Sequence, residues 1–116
     1  METTLELEVS TENDTGVLTA KGYINNSGGE QIAAACDELI DDGLKHFLLD
    51  LGQCRIVNSI GISILIEITE KVRGLEGAVA FCCVTPTVAK TFRIMGLLQL
   101  STVHDTREEA LRALQA

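Results

Sequence analysis

Two short stretches of the sequence are apolar almost throughout, and they limit the fold more than any other feature. The first runs from His46 to Leu51 and the second from Ala78 to Val84. Strands that are covered on both faces have this continuous apolar pattern, and such strands are typical of a parallel sheet. Between them, a helical pattern runs from about Ser59 to Arg73 and is closed by Gly74. The sequence therefore predicts parallel strands joined by a helix.

The N-terminal part of the chain has a different, alternating pattern. Apolar residues alternate with glutamates over Leu5–Val9, and from Gly16 to Ile24 the apolar positions share one parity. A turn-rich stretch, Thr11 to Gly16, lies between them. Alternation with period two is typical of half-buried strands. We expect an initial β-hairpin.

Helix starts and stops are marked along the rest of the chain. Ser27 with Glu30 has the spacing of a capping box, and the helical pattern that follows stops at Gly43. Thr85 and Pro86 are typical of an N-cap followed by a first-turn proline.

The C-terminal part supplies one more strand and helix. Leu98, Leu100 and Val103 alternate as a final strand, and Thr106 with Glu109 is a second capping box that opens a last helix. We predict an α/β fold over residues 1–116 as a single domain: a mixed β-sheet with an initial hairpin, then alternating helices and strands, with about four helices. A chain of 116 residues, 46% of them hydrophobic, can bury one core.

Composition excludes several classes of function. The net charge of -8 disfavours nucleic acid and anionic membrane surfaces, because no basic face is available to meet phosphates. The chain carries neither a signal-peptide pattern nor an apolar run of transmembrane length, so we expect a cytoplasmic protein. Its four cysteines form no CxxC pair, and its two histidines are isolated from them in sequence. We expect reduced, buried thiols, no metal and no cofactor.

The segment from Asp50 to Ser63 leaves a buried strand, crosses a short loop and enters a helix at Ser59. A serine at this position is a common N-cap, which stabilises a helix by about 1 kcal/mol. It is also a favourable place for a phosphate, since the first helical turn offers free N–H groups and the positive end of the dipole. Spacing alone leaves both roles open.

The strand, the loop and the helix entry Asn58-Ser59-Ile60-Gly61 resemble the signature of STAS-domain anti-sigma factor antagonists of the sporulation and stress type. That signature is usually an Asp-Ser-Ser-Gly run, in which Ser59 falls on the phosphorylated serine. The resemblance extends over nearly the whole chain: Gly22, Thr85–Val88 and Phe92–Leu97 also match family segments in the correct order.

The resemblance implies a regulatory binding protein that is not an enzyme. Its partner would be an anti-sigma factor serine kinase that binds ATP and phosphorylates Ser59, and a phosphatase would restore the serine. Sequestering the kinase would release a sigma factor. An alternative is a STAS module in another partner-switching or stressosome-like complex, without sigma-factor control. Asn58 and Asn25 stand where the family usually has aspartates, which makes the site less anionic.

The predicted partner-binding residues lie in the loop around Asn25 and along the helix that begins at Ser59. Isoleucines make the apolar arc of this helix wider than one core contact needs, so either an exposed interface or burial against a neighbouring helix explains it. We expect a monomer or weak dimer. The predicted contact residues are Asn25, Asn58, Ser59, Ile60, Gly61, Ile62, Ser63 and Ile66.

A hydrolase that uses Ser59 is a third interpretation. His46 and either Asp50 or Asp105 would complete a triad on paper, but the sequence lacks the GxSxG nucleophile elbow. Cys82 and Cys83 are expected to point to opposite faces of their strand, which argues against a redox pair.

Overall fold

A five-stranded sheet is the centre of the structure, which is a computed structural model describing residues 5–115. Four α-helices and one short 3-10 turn are arranged around the sheet. In chain order the elements are β1 (Leu5–Glu12), β2 (Thr15–Ile24), α1 (Asn26–Asp41), β3 (His46–Val57), α2 (Ser59–Gly74), β4 (Ala78–Cys82), α3 (Pro86–Ile94), the 3-10 turn (Leu97–Gln99), β5 (Thr102–His104) and α4 (Arg107–Gln115).

The strands lie in sequence order, β1 to β5. Strands β1 and β2 form an antiparallel hairpin, while β2, β3, β4 and β5 are parallel neighbours. The predicted α/β fold with a mixed sheet, an initial hairpin and four helices is confirmed. Because consecutive parallel strands are joined through helices, the helices that follow β2 and β3 begin at the same edge of the sheet.

The helices cover the two faces of the sheet unequally. The larger core joins α1, α2 and α3 to one face, and Phe81 of β4 packs there against Phe92 of α3 with ring centroids 5.2 Å apart. The smaller core joins α4 to the other face through Ala110 and Leu114. Burial on both faces is the physical reason for the continuous apolar runs in β3 and β4.

Two strand predictions need correction. Strand β3 continues to Val57, although residues after Leu51 were expected to form a loop. Its pairing with β2 shifts register twice, and such bulges interrupt the alternation by which a strand is recognised. The last strand is shorter than predicted, because residues 97–99 form the 3-10 turn and β5 begins at Thr102.

Two predicted helix starts are confirmed. The Thr85 hydroxyl accepts a hydrogen bond from the Val88 N–H at 3.2 Å. Thr106 and Glu109 form a reciprocal capping box, with distances of 3.1 and 3.3 Å. None of the helices within residues 5–115 has the length and apolar character that crossing a bilayer requires.

Candidate functional site

The candidate site lies where β2 and β3 end side by side. Ile24 and Val57, the last residues of these strands, are paired in the parallel register, and α1 and α2 begin immediately afterwards. The Asn58 N–H donates a hydrogen bond to the Ile24 carbonyl oxygen at 3.1 Å. This bond ties the entry of α2 to the residue that precedes Asn25, so the two predicted asparagines belong to one edge of the sheet.

Each asparagine caps a helix. The Asn25 side-chain oxygen accepts from the Gly28 N–H, and the Asn58 side-chain oxygen accepts from the Gly61 N–H, both at 2.8 Å. Both residues have extended backbone, as an N-cap requires. Asparagine and aspartate cap about equally well, so the absence of a carboxylate leaves this structural role intact.

Glycine at the third helical position lets α1 and α2 start close to the sheet. A β-carbon at Gly61 would collide with the carbonyl oxygen of Ile24, and a β-carbon at Gly28 would collide with that of Tyr23. Gly61 is buried and is therefore a packing residue, not the surface contact that was predicted.

The caps correct two sequence predictions. Ser59 was a candidate N-cap, but Asn58 occupies that position and Ser59 is the first residue of α2. Ser27 was expected to open α1, but Asn25 caps this helix and Ser27 lies in its first turn. Ser59 is exposed, and within residues 5–115 we find no hydrogen bond to its hydroxyl group.

Apolar side chains flank Ser59 on both sides along the chain. Ile60 is 54% exposed and Ile56, near the end of β3, is 56% exposed. The sequence pattern did not single out Ile56, because it falls in the bulged part of β3. Ser63, one turn further along α2, is also exposed and donates a hydrogen bond to the Ser59 carbonyl oxygen at 3.0 Å. The exposed part of α2 thus combines hydroxyl groups with isoleucine.

Ile62 is not part of this surface. Its side chain is fully buried in the larger core, and this placement corrects the prediction of Ile62 as a partner contact. Ile66 is only partly buried, and it packs against the same core. The wide apolar arc of α2 arises largely because α1 packs closely on it, with Gly29 of α1 lying against Ile64 of α2.

Ser59 and His46 of the hypothetical hydrolytic triad do not lie close together. His46 is the first residue of β3 and Ser59 is the second residue after its end, so the length of the strand, about 35 Å, separates them. Asp50 is instead paired with Arg107, the first residue of α4, at 2.9 Å. Arg107 also donates to the Thr19 hydroxyl oxygen at 2.9 Å, so this cluster fastens α4 to the sheet. The Asp50 contact raises the pKa of Arg107.

The four cysteines are free thiols, and Cys83 is less buried than predicted. Cys36, Cys54 and Cys82 are buried and Cys83 is half-buried. Burial raises the pKa of the Cys36 thiol to about 12 and that of Cys54 to about 11, so both thiols are protonated at neutral pH.

The predicted opposite orientation of Cys82 and Cys83 is wrong. Strand β4 ends at Cys82, and Cys83 has a φ of 66°, in the left-handed region. Side chains alternate between faces only while the chain stays extended, so this turn brings the two sulfur atoms within 4.8 Å of each other.

The geometry defines a small α/β domain whose strand-to-helix edge carries an exposed serine, Ser59, flanked in sequence by the exposed Ile56 and Ile60. Residues 6–110 match the family model of the STAS domain. The chain therefore belongs to the STAS-domain family.

Relatives of known name agree with this assignment. BtrV of Bordetella bronchiseptica, provisionally named an anti-sigma factor antagonist, is 29% identical over 102 residues, which are 86% of this chain and 88% of BtrV. An anti-sigma factor antagonist from Mycobacterium paratuberculosis has the same fold, with a TM-score of 0.86, 20% identity and coverage of 97% and 96% of the two chains. The Bacillus cell fate determinant SpoIIAA in its phosphorylated form matches with a TM-score of 0.71, 22% identity and coverage of 95% and 98%.

Proposed function

We propose that this protein is a cytoplasmic anti-sigma factor antagonist, a non-catalytic switch that binds an anti-sigma factor through the start of α2. Phosphorylation of Ser59 ends the binding. The observation that carries this proposal is the position of Ser59: it is exposed, it is the first residue of α2, and the cap is supplied by Asn58 instead. A serine that does not cap its helix can be modified without loss of the cap.

Electrostatics support Ser59 as the phosphoacceptor. A phosphate there adds about -1.5 to -2 charges beside the positive end of the helix dipole, which offsets part of the repulsion within an acidic chain. Asn58 and Asn25 are uncharged, so neither adds a carboxylate beside the phosphate. The domain is expected to keep its fold when Ser59 is phosphorylated.

The exposed isoleucines support a protein partner. Ile56 and Ile60 expose more than half of their surface on either side of Ser59. A partner that covers them gains apolar burial, and because Ile60 directly follows Ser59 in the chain, such a contact is expected to extend to the serine. A phosphate on Ser59 would be forced into this dehydrated contact, which costs several kcal/mol when no counter-charge is supplied.

In this proposal the partner supplies the catalytic chemistry. The anti-sigma factor binds ATP and transfers the phosphoryl group to Ser59, and a phosphatase removes it. Gly61 and Ile62 are buried, so they are removed from the predicted contact surface. It comprises the exposed or half-buried residues Asn25, Ile56, Asn58, Ser59, Ile60, Ser63 and Ile66.

The test uses the partner that co-purifies with the native protein from its host, identified by mass spectrometry and then prepared in pure form. Incubation with this partner and ATP should add one phosphate to the wild-type chain, and Ser59→Ala should add none. Ser27→Ala is the matched control, because Ser27 is an exposed serine in the first turn of α1. Undiminished phosphorylation of Ser59→Ala would contradict the proposal, and Ser63 would be the next candidate.

The identity of the partner decides between the two binding interpretations. An anti-sigma factor that holds a sigma factor in competition with this protein supports the proposal. A partner with no sigma factor bound supports a STAS module in another switching complex.

A further inference from the structure

A second cluster of reactive groups lies away from Ser59, where β3 and β4 run side by side. The Asp50 carboxylate and the Cys82 and Cys83 sulfurs each offer a metal-ligand atom, and these three atoms lie within 4.8 Å of one another. Asp50 and Cys82 are paired in the parallel register, so both side chains leave the sheet on the face that α4 covers. Cys83 joins them because of its left-handed backbone.

We propose that Asp50, Cys82 and Cys83 form a binding site for a thiophilic divalent cation of the Zn²⁺ or Cd²⁺ class. Two sulfurs and one carboxylate oxygen are a donor set that such ions prefer over Mg²⁺ or Ca²⁺. In a tetrahedral site with bonds of about 2.3 Å to sulfur and 2.1 Å to oxygen, neighbouring ligand atoms are about 3.7 Å apart. Because the three atoms already lie within 4.8 Å of one another, the contraction needed is at most about 1 Å, which a side-chain rotation can supply.

Asp50 is held by groups suited to orient a metal ligand. Its Oδ1 accepts from the Gly52 N–H at 3.0 Å and its Oδ2 accepts from Arg107 at 2.9 Å. Each carboxylate oxygen can accept a further contact, so coordination does not require either bond to break. Such outer contacts fix the orientation of a ligand and increase its affinity for the metal.

The charges at the site also balance. The Asp50–Arg107 pair is already neutral. Binding of a divalent ion M²⁺ breaks the S–H bonds of Cys82 and Cys83, forms two M–S bonds and releases two protons to solvent, with no change in oxidation state. The bound ion and two thiolates add no net charge to a partly buried site, which limits the cost of desolvation.

Metal coordination suits this cysteine pair better than a disulfide does. Consecutive Cα atoms across a trans peptide are about 3.8 Å apart, less than the 4.4–6.8 Å usual for disulfides. A metal ion can reach the site from solvent, because Cys83 is half-buried and the Asp50 side chain is 16% exposed. Cys82 is buried and forms the inner side of the site. The neighbouring His104 is not among these clustered ligand atoms, and its Nε2 is hydrogen-bonded to the Thr102 hydroxyl at 2.9 Å.

The experiment titrates the reduced, chelator-treated protein with Cd²⁺ and follows the ultraviolet thiolate-to-metal charge-transfer band, with native mass spectrometry for stoichiometry. We expect one Cd²⁺ per chain, displaced by Zn²⁺ and not by Mg²⁺. Cys83→Ser should weaken binding by about a hundredfold, and Asp50→Asn by about tenfold. Cys36→Ala is the matched control, since it removes a buried thiol outside the cluster, and it should bind like the wild type.

Thermal melts of every variant show whether it is folded before its affinity is compared. Cys83→Ser is chosen over a change at Cys82 because Cys83 is not part of the buried core. Absence of stoichiometric binding to the folded wild type would overturn the proposal. It would equally be overturned if the band persisted in Cys83→Ser or fell as far in Cys36→Ala.

Discussion

Helices α1 and α2 begin side by side at the same edge of the sheet, and their first turns are built alike. An asparagine caps each helix, and a glycine three residues later lets the backbone pass close to a strand end. Their exposed residues differ. The first turn of α1 presents Asn26 and Ser27, while that of α2 presents Ser59 and Ile60.

Under the proposed function, this difference places the apolar part of the contact surface at the start of α2, while Asn25 at the start of α1 contributes a polar residue beside it. Both starts offer free N–H groups and a serine, so neither feature alone distinguishes them. Apolar exposure does, because an isoleucine left in water gains free energy when a partner covers it. In sequence, the exposed Ile56 and Ile60 flank Ser59, whereas the exposed Ser27 follows the polar, exposed Asn26.

The largest expected effect distinguishes the buried from the exposed side of the α2 start. Ile62→Asp places an unpaired carboxylate in the core and should cost several kcal/mol, out of a total stability of about 5–15 kcal/mol for a small domain. Ile60→Asp should change the free energy of unfolding by less than about 0.5 kcal/mol but abolish partner binding. Urea denaturation of both variants checks the first statement, and calorimetric titration of Ile60→Asp checks the second. Comparable destabilisation by the two substitutions would contradict the assigned burial.

The next effect concerns phosphorylation of Ser59. We expect affinity for the partner to fall about a hundredfold, or about 2.8 kcal/mol, because the phosphate is forced into a dehydrated contact. The stability of the free domain should change much less, since the helix dipole and free amides offset the added charge. Calorimetric binding and thermal melts of both forms measure the two quantities. Equal affinities of the phosphorylated and unphosphorylated protein for the partner would contradict the switch hypothesis, even if Ser59 is modified.

A smaller effect tests the shared design of the two helix starts. Asn58→Ala and Asn25→Ala each remove one cap and should each lower the free energy of unfolding by about 1 kcal/mol. Ser59→Ala should lower it by less than about 0.5 kcal/mol, because Ser59 does not cap α2. Denaturant titration of the three variants is the measurement. If Ser59→Ala lowered the free energy of unfolding as much as Asn58→Ala, Ser59 would have to be the capping residue.

The smallest effect restores the carboxylate that the family usually carries. Asn58→Asp should stabilise the unmodified domain by about 0.3–1 kcal/mol, because a negative cap interacts favourably with the helix dipole. Once Ser59 is phosphorylated, the same change should be destabilising, since two negative groups then share the first turn. Asn25→Asp should give a similar gain and a smaller reversal, because it caps the other helix. Thermal melts of each variant, with Ser59 phosphorylated and unphosphorylated, give the sign of each change in stability.

Local sequence patterns specify the order and type of the five strands and four α-helices, although not the 3-10 turn at residues 97–99. Continuous apolar runs specified strands that are buried on both faces, and hydrophobic alternation specified the hairpin, because these patterns depend only on local periodicity and burial. The caps at Thr85 and Thr106 were readable for the same reason: each lies within a few residues of the N–H group it accepts from. The placement of Ser59 at a strand-to-helix junction also followed from local signals.

Which residue caps α2 and which isoleucine is exposed depend on tertiary packing. Asn58 and Ser59 are both favourable N-cap residues, so local spacing alone does not choose between them, and in the fold the Asn58 N–H is bonded to Ile24 of a different strand. Ile60 and Ile62 are alike in sequence, and the packing of α2 against its neighbours buries one and leaves the other in solvent. The approach of Cys83 to Asp50 likewise depends on a backbone turn and on strand pairing across the sheet, because contacts between residues distant in sequence leave no local periodicity to read.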